Sequence, residues 1–425
     1  MGRFLHSLLE KNKTLIKDNL ILFSAIAFTN LFNYVYRFYV GRSLGPADFG
    51  VFEVLISIIY IIVIPLMAIQ TSLSKFVAEF KVKEEKEKLA YLFSKSIKHM
   101  GLVGFFIGIV FLAISPLLSN FLNISRIGPF VIIGIFMIFN FLVPVFRGFL
   151  QGLQSFKLLG LSFILEGMTK IVVGIPLIYL GFRLNGAVLG FILGFVFPLL
   201  IIFYFINKLF VKVKEKFDTS KIYKYSFPVL LMLISLTAFY TLDVILVKKF
   251  FNPVDAGYYA ALSLFGKIIF FSSMSISMVM FPKVSELASQ NKNTKSLLFK
   301  SLIIAFGIGV VGSLFYFFIP KFIINLIFGQ EYLVISNLLG LFGIVMLIYS
   351  LSYVLSFYNI ALHRTNFLYL LGFFNLLEIV LISLFHDSIV QIVGILIIVM
   401  LLLFFSMIIY TIKNDKAINN YSGVQ

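Results

Sequence analysis

The sequence GPADFGVFEVLISIIYIIVIPLMAIQTSLSKFVAE, residues 45–79, decides the fold of this chain. It opens with a Pro-x-Asp turn, continues as a long apolar helix and ends with a lysine and a glutamate. Proline is preset for the first turn of a helix and aspartate can cap it. The same plan returns in the second half of the chain, which predicts two copies of one unit. Four pairs of identical residues keep an offset of 207 positions: Pro46 and Pro253, Asp48 and Asp255, Gly50 and Gly257, Glu79 and Glu286.

The composition around this repeat is that of a membrane protein. The chain has 425 residues, of which 60% are hydrophobic and 12% are charged, and its mean hydropathy is +1.05. Apolar runs of membrane-spanning length recur throughout. We therefore predict an all-α integral membrane protein with about twelve transmembrane helices in two parallel six-helix lobes, residues 1–210 and 225–425, joined by a cytoplasmic linker at 211–224. The predicted spans are 19–42, 48–72, 94–116, 127–150, 158–180, 185–207, 225–249, 256–281, 297–319, 333–358, 365–385 and 389–412.

The basic residues predict the orientation of these spans. Most of the 35 lysines and arginines, including Arg147, are assigned to alternate loops, which places those loops and both termini on the cytoplasmic side of the cell membrane. The charged stretches Lys81–Lys88, which we expect to extend the second span, and Lys208–Lys224 are interpreted as solvated or headgroup-contacting segments. The net charge of +17 does not indicate nucleic acid, because the basic residues alternate with hydrophobic runs. The opposite loops hold six basic residues: Arg42, Arg126, Arg183, Lys248, Lys249 and Lys321.

Several kinds of chemistry are excluded or disfavoured by the sequence. The chain has no cysteine, so disulfides and thiol catalysis are excluded. Its four histidines lie far apart, without the paired spacing of a zinc site. No GxxxxGK[ST] motif is present, which argues against transport driven by the chain's own ATP hydrolysis. The outer loops are too short for a catalytic domain. We expect neither an enzyme nor a bound metal or organic cofactor.

Charged residues inside the predicted spans are candidates for function, because burying a charge in hydrocarbon is costly. Arg37 and Glu53 lie at similar depth on adjacent antiparallel spans, where they form either an ion pair or part of a substrate site. Glu166 and Lys170 share one helical face near mid-membrane, with the same two alternatives. Lys267 has no partner in its own span. These five residues are the candidate substrate-binding residues.

A second group of polar residues lies in spans 7 and 11, where Asp243 and Glu378 are each about six or seven residues from the outer end of their span. Asp243, Asn375 and Glu378 supply two carboxylates and an amide oxygen, which suit Na⁺ or a proton as coupling ion. The alternative is a structural pair that is neutralised by Lys267 or by protonation. Tyrosines near the outer ends of spans 1 and 8 fit an interfacial belt as well as a sugar-stacking surface: Tyr34, Tyr36, Tyr39, Tyr258 and Tyr259.

Several segments together resemble a known family. They are GRSLGPADFG (41–50), SKFVAE (74–79), KKFFNPVDAGYYAALSLFGK (248–267), FPKVSEL (281–287), PKFIINLIFGQEY (320–332), and YNIALHRTNF (358–367) with its first-half counterpart RGFLQGLQSF (147–156). In order and spacing they are similar to the polysaccharide-export and oligosaccharide flippase family. That family belongs to the superfamily that also contains multidrug and toxin extruders and peptidoglycan-lipid flippases. The peptidoglycan-lipid branch carries two further C-terminal spans, so we expect the polysaccharide branch here.

The resemblance implies a V-shaped pair of lobes around a cationic cavity. The implied substrate is a polyprenyl- or dolichyl-linked saccharide, whose headgroup crosses the cavity by alternating access while its tail stays among the membrane lipids. We expect a monomer. From the helical rise, Lys170 and Lys267 reach the middle of the membrane and are predicted to hold a diphosphate between them. Two alternatives stay open: a cation-coupled extruder of drugs or small cations, and a non-transporting membrane enzyme or assembly factor.

Overall fold

The described part of the chain is helical. The computed structural model describes the backbone of residues 2–206, 220–290 and 292–422, and side chains there except at 2–20, 23, 206, 220–226, 289 and 416–422. The helices are α1 (Gly2–Val63), α2 (Met67–Val82), α3 (Lys86–Phe121), α4 (Gly128–Gly152), α5 (Phe156–Thr169), α6 (Ile175–Leu177), α7 (Arg183–Ile206), α8 (Ser220–Phe239), α9 (Leu242–Phe250), α10 (Pro253–Ser289), α11 (Lys295–Phe318), α12 (Pro320–Ile327), α13 (Ser336–Ala361), α14 (Phe367–Leu384) and α15 (Ile389–Ser422).

Ten helical segments of the described residues are long and apolar enough to cross a membrane. Two of them, Ser24–Val82 with 59 residues and Phe156–Phe205 with 50, are too long for one crossing, since about 20 residues suffice. Each is interrupted at a glycine with positive φ, Gly45 at 75° and Gly181 at 93°. Each therefore crosses twice, and the predicted all-α membrane architecture of about twelve spans is confirmed.

The chain divides into two compact units. Unit 1 comprises Met1–Leu44 and Ile62–Leu230, and unit 2 comprises Gly45–Ile61 and Leu231–Gln425. The first part of the repeat sequence thus packs within the unit formed by the second half of the chain. Most of the predicted linker 211–224, and of the charged stretch Lys208–Lys224, lies outside the described residues.

The two copies of the repeat turn pack against each other in unit 2. A Cβ added to Gly50 would lie 2.8 Å from the backbone nitrogen of Gly257, and a Cβ on Gly257 would overlap the carbonyl oxygen of Pro46. The Phe49 ring is 5.3 Å from that of Phe328 and 6.4 Å from that of Tyr332. The repeat turn and the PKFIINLIFGQEY segment therefore form one aromatic core, and glycine is required at the crossing point.

The charged stretch Lys81–Lys88 does not extend the second span. Helix α2 ends at Val82 and α3 begins at Lys86. Between them Glu84 has φ of 57°, and the Glu85 N–H donates to the Phe80 carbonyl at 3.0 Å. This is a tight helix C-cap that reverses the chain. Our expectation of a continuous helix was wrong here because no glycine or proline marks the turn.

Two membrane helices are irregular where candidate residues lie. Helix α5 passes at Lys170 into a π-helical turn, Lys170–Gly174, a feature that is frequent at functional sites. In the segment Phe227–Phe250, α8 ends at Phe239 and α9 begins at Leu242. Asp243 therefore lies in the first turn of a half-helix inside the membrane, where the helix dipole is positive.

Candidate functional site

Unit 1 contains a buried group of charges that we call the basic cluster: Arg147, Glu166, Lys170 and Asn33. Glu166 accepts from both cations, with Oε2 at 2.8 Å from the Arg147 guanidinium and Oε1 at 2.7 Å from Lys170 Nζ. Lys170 also donates to Asn33 Oδ1 at 2.8 Å. The spacing of four residues had predicted the intrahelical pair of Glu166 and Lys170, and that pair is present.

Aromatic rings and one glycine enclose Lys170. Its Nζ lies 4.3 Å from the ring centroid of Phe191 and 4.5 Å from that of Phe195. A Cβ on Gly194 would lie 2.7 Å from the lysine side chain, so only glycine leaves room for it there. Lys170 is 1% exposed. A phosphate can therefore reach this ammonium group only if the basic cluster opens.

The basic cluster carries excess positive charge. Arg37 is 4% exposed and close enough to Lys170 to interact with it electrostatically. Within the basic cluster itself, Arg147 and Lys170 share the carboxylate of Glu166, so the charge of the cluster is net positive. Glu53, 1% exposed, belongs to unit 2, and its pairing with Arg37 stays a prediction.

Unit 2 contains a second buried group, which we call the acidic cluster: Asp243, Glu378, Asn375, Lys267 and Tyr259. Helix α9 packs against α10 and α14, which brings these residues together. Asp243 and Glu378 are both 0% exposed and interact electrostatically with each other. Lys267 is 1% exposed, interacts with Asp243, and lies 5.8 Å from the ring centroid of Tyr240.

Oxygen atoms in the acidic cluster are left without hydrogen-bond donors. Tyr259 donates to Asp243 Oδ2 at 2.7 Å. Asn375 donates its amide N–H groups to the carbonyls of Ser235 at 3.0 Å and Leu371 at 2.8 Å. Among the described residues, both carboxylate oxygens of Glu378 and the Oδ1 atom of Asn375 have no hydrogen-bond partner. These orphaned oxygens fit a bound proton or a small hard cation.

The sequence analysis identified Asp243, Asn375 and Glu378 of the acidic cluster. It missed two hydrogen-bond partners of the candidate residues: Arg147, which pairs with Glu166, and Tyr259, which donates to Asp243. Arg147 was assigned to a loop, yet it is 7% exposed in α4. Its position inside the predicted span 127–150 could have indicated that it is buried. For Tyr36 and Tyr259, neither of the two expected roles, an interfacial belt or a sugar-stacking surface, agrees with their burial. Both are 0% exposed, and the Tyr36 hydroxyl donates to the Ala187 carbonyl at 2.6 Å.

Comparison with known proteins agrees with this architecture. Residues 15–288 match the model of the family described as polysaccharide biosynthesis protein. An uncharacterized membrane protein of Methanocaldococcus jannaschii is 26% identical over 329 residues, which cover 72% of this chain and 76% of that protein.

Solved structures share the fold at low identity. One is an inward-facing multidrug resistance MATE family transporter of the MOP superfamily, with a TM-score of 0.78, 15% identity, and coverage of 93% of this chain and 99% of that chain. Another is the lipid II flippase MurJ in an inward closed conformation, with a TM-score of 0.71, 16% identity, and coverage of 94% and 87%. The fold is that of the membrane transporters of this superfamily.

Proposed function

Since this chain belongs to the polysaccharide biosynthesis protein family and has the fold of MOP-superfamily transporters, we propose that it flips a lipid-linked oligosaccharide or polysaccharide precursor across the cytoplasmic membrane. It is a membrane transporter rather than an enzyme. The lipid carrier would be a polyprenyl or dolichyl diphosphate, and both termini would face the cytoplasm, as the basic loops predict.

One observation carries this proposal: the two buried clusters have opposite charge balance. A lipid-linked diphosphate is anionic, and hydrocarbon offers it no counter-charge. The net positive charge of the basic cluster, where Arg147 and Lys170 share the one carboxylate of Glu166, would lower that barrier through the low-dielectric interior. Because Lys170 is enclosed, its first contribution is to the local field, and direct contact with phosphate would follow opening of the cluster.

The acidic cluster would hold the coupling ion. Asp243, Asn375 and Glu378 supply the oxygens for a proton or Na⁺, and Lys267 balances one of the two carboxylates. One negative charge is then left, which matches one monovalent cation. Uptake of that cation would neutralise the second carboxylate, weaken the combined attraction of the two carboxylates for Lys267 and make more of the lysine's charge available to the diphosphate. Coupling would thus be an exchange of counter-charges at one place in unit 2.

The test is translocation in proteoliposomes. The purified protein should move a fluorescent polyprenyl-diphosphate oligosaccharide between leaflets, as measured by the access of an impermeant reagent to the sugar. Lys267→Ala should abolish this movement, Lys170→Ala should reduce it, and Lys267→Arg should retain part of it. Lys157→Ala is the matched control, since Lys157 is an exposed lysine at the start of the helix that ends before Lys170. Normal movement by Lys267→Ala would contradict the proposed role of the cations.

A second candidate function is cation-coupled extrusion of drugs or small cations. Asp243 and Glu378 favour it, because buried carboxylates attract cationic ligands, and a multidrug transporter is among the structures with this fold. The same proteoliposomes distinguish the two functions. Export of a cationic dye without movement of the lipid-linked saccharide would support the extruder and overturn the flippase.

A further inference from the structure

A basic cavity lies at the turn between α10 and α11, away from both buried clusters. It measures about 490 Å³ and opens on the side that the basic loops predict to be cytoplasmic. Residues from the last turns of α10 and the first turns of α11 line it. They include Lys283, Glu286, Gln290, Lys292, Ser296 and Lys300.

The charge of this cavity is positive. Three lysines, Lys283, Lys292 and Lys300, face it together with one acidic residue, Glu286. The N-terminus of α11, which begins at Lys295, lies at its rim and adds the positive end of a 24-residue helix. The cavity is therefore suited to an anion.

The equivalent turn of the first repeat is built differently. There, Glu79, the counterpart of Glu286, binds Lys83 at 2.7 Å, and Glu85 binds Lys88 at 2.9 Å. The first turn thus neutralises its lysines internally. At the same offset of 207 positions, the second turn has Asn291, Lys292 and Thr294 in place of Glu84, Glu85 and Glu87, so its excess positive charge is specific to unit 2 and does not follow from the repeat alone.

Exposed apolar side chains lie within one helical turn of two of the lysines that line the cavity. Val279 is one helical turn from Lys283 and is 58% exposed, and Ile304 is one turn from Lys300 and is 53% exposed. Phe299, beside Lys300, is 66% exposed. A ligand whose charged end fills the cavity can therefore place its apolar end on these side chains. Val279 and Ile304 are each four residues from a lysine of the cavity, which corresponds to about 6 Å along the helix.

We propose that this cavity binds the headgroup of an anionic membrane phospholipid. The lysines and the helix end would hold the phosphate, and the acyl chains would lie along Val279 and Ile304. A basic pocket at the cytoplasmic surface of a membrane protein is suited to such headgroups. A soluble anion would use the charges but not the apolar surface below them, so the juxtaposition favours the lipid.

The experiment measures lipid binding to the full chain by native mass spectrometry and in nanodiscs. Wild-type protein should bind phosphatidylglycerol at least tenfold more tightly than phosphatidylcholine. The triple variant Lys283→Gln, Lys292→Gln, Lys300→Gln should lose most of this preference, because lysines near the membrane surface attract anionic headgroups. The corresponding arginine variant should keep it, which separates lost charge from misfolding.

The matched control is Lys83→Gln with Lys88→Gln in the equivalent turn of unit 1, which should keep the preference. Equal loss in the control would show a general surface effect and overturn the site. Full competition by inorganic diphosphate or by a short-chain lipid-linked saccharide would also overturn it, because the cavity would then be a soluble-anion or substrate site. The result does not depend on whether the protein transports a saccharide.

Discussion

The two buried clusters each combine a glutamate with a lysine and an asparagine, but the glutamate is bonded differently in the two. In unit 1, Glu166 accepts from Arg147 at 2.8 Å and from Lys170 at 2.7 Å. In unit 2, neither oxygen of Glu378 has a hydrogen-bond partner among the described residues. A carboxylate held between two cations already has its charge balanced, so we interpret Glu166 as structural. A buried carboxylate without donors needs a proton or a cation, so we assign the exchangeable charge to unit 2.

Removing the central acid of the basic cluster should have the largest effect on stability. Glu166→Ala leaves Arg147 and Lys170 buried without their shared partner, and we expect a loss of about 3–5 kcal/mol in the free energy of unfolding. Unfolding in detergent, followed by circular dichroism, measures it. Lys83→Ala is the control, because its pair with Glu79 is exposed and should contribute less than about 1 kcal/mol. Similar losses of stability in both variants would contradict the distinction between the buried ion pairs of Glu166 and the exposed pair of Lys83.

Tyr259→Phe should have an intermediate effect on the acidic cluster. It removes the 2.7 Å hydrogen bond to Asp243 without changing the packing of the ring, so we expect a loss of about 1.5–3 kcal/mol if the carboxylate is ionised. The same unfolding assay measures it. Tyr258→Phe, on the neighbouring residue, should change stability much less. An unchanged stability in Tyr259→Phe would indicate that Asp243 is held by other groups.

Glu378→Gln should have the smallest effect on stability. The substitution keeps the shape of the side chain and removes a buried acid whose oxygens lack donors, so we expect a change within about 1 kcal/mol in either direction. The comparison with Glu166 would fail if Glu378→Gln destabilised the protein as much as Glu166→Ala does.

Sequence reasoning predicted the features that depend on period, spacing and depth. The offset between Pro46 and Pro253 identified the repeat. Counting residues along spans 7 and 11 placed Asp243 and Glu378 at the same depth, and the structure brings them together. The confirmed family resemblance rested on segments such as GPADFG, which form the aromatic core of unit 2.

What sequence reasoning missed depends on helix rotation and long-range packing. The side on which Tyr259 points is set by how α10 packs on α9, which spacing does not encode. Arg147 in α4 pairs with Glu166 in α5, a residue 19 positions away. The packing of Gly45–Ile61 within unit 2 requires contact between residues about 200 positions apart, such as Gly50 and Gly257. No local pattern in a single sequence predicts such a contact.

The most direct test of the account is the ion dependence of translocation. Proteoliposomes containing wild-type protein or Glu378→Gln would receive an imposed H⁺ or Na⁺ gradient, and movement of a polyprenyl-diphosphate oligosaccharide would be followed. We predict that one of the two gradients accelerates movement by the wild type and has no effect on the Glu378→Gln variant, which remains folded. Movement that responds to the gradient equally in both proteins would contradict the assignment of the coupling ion to unit 2.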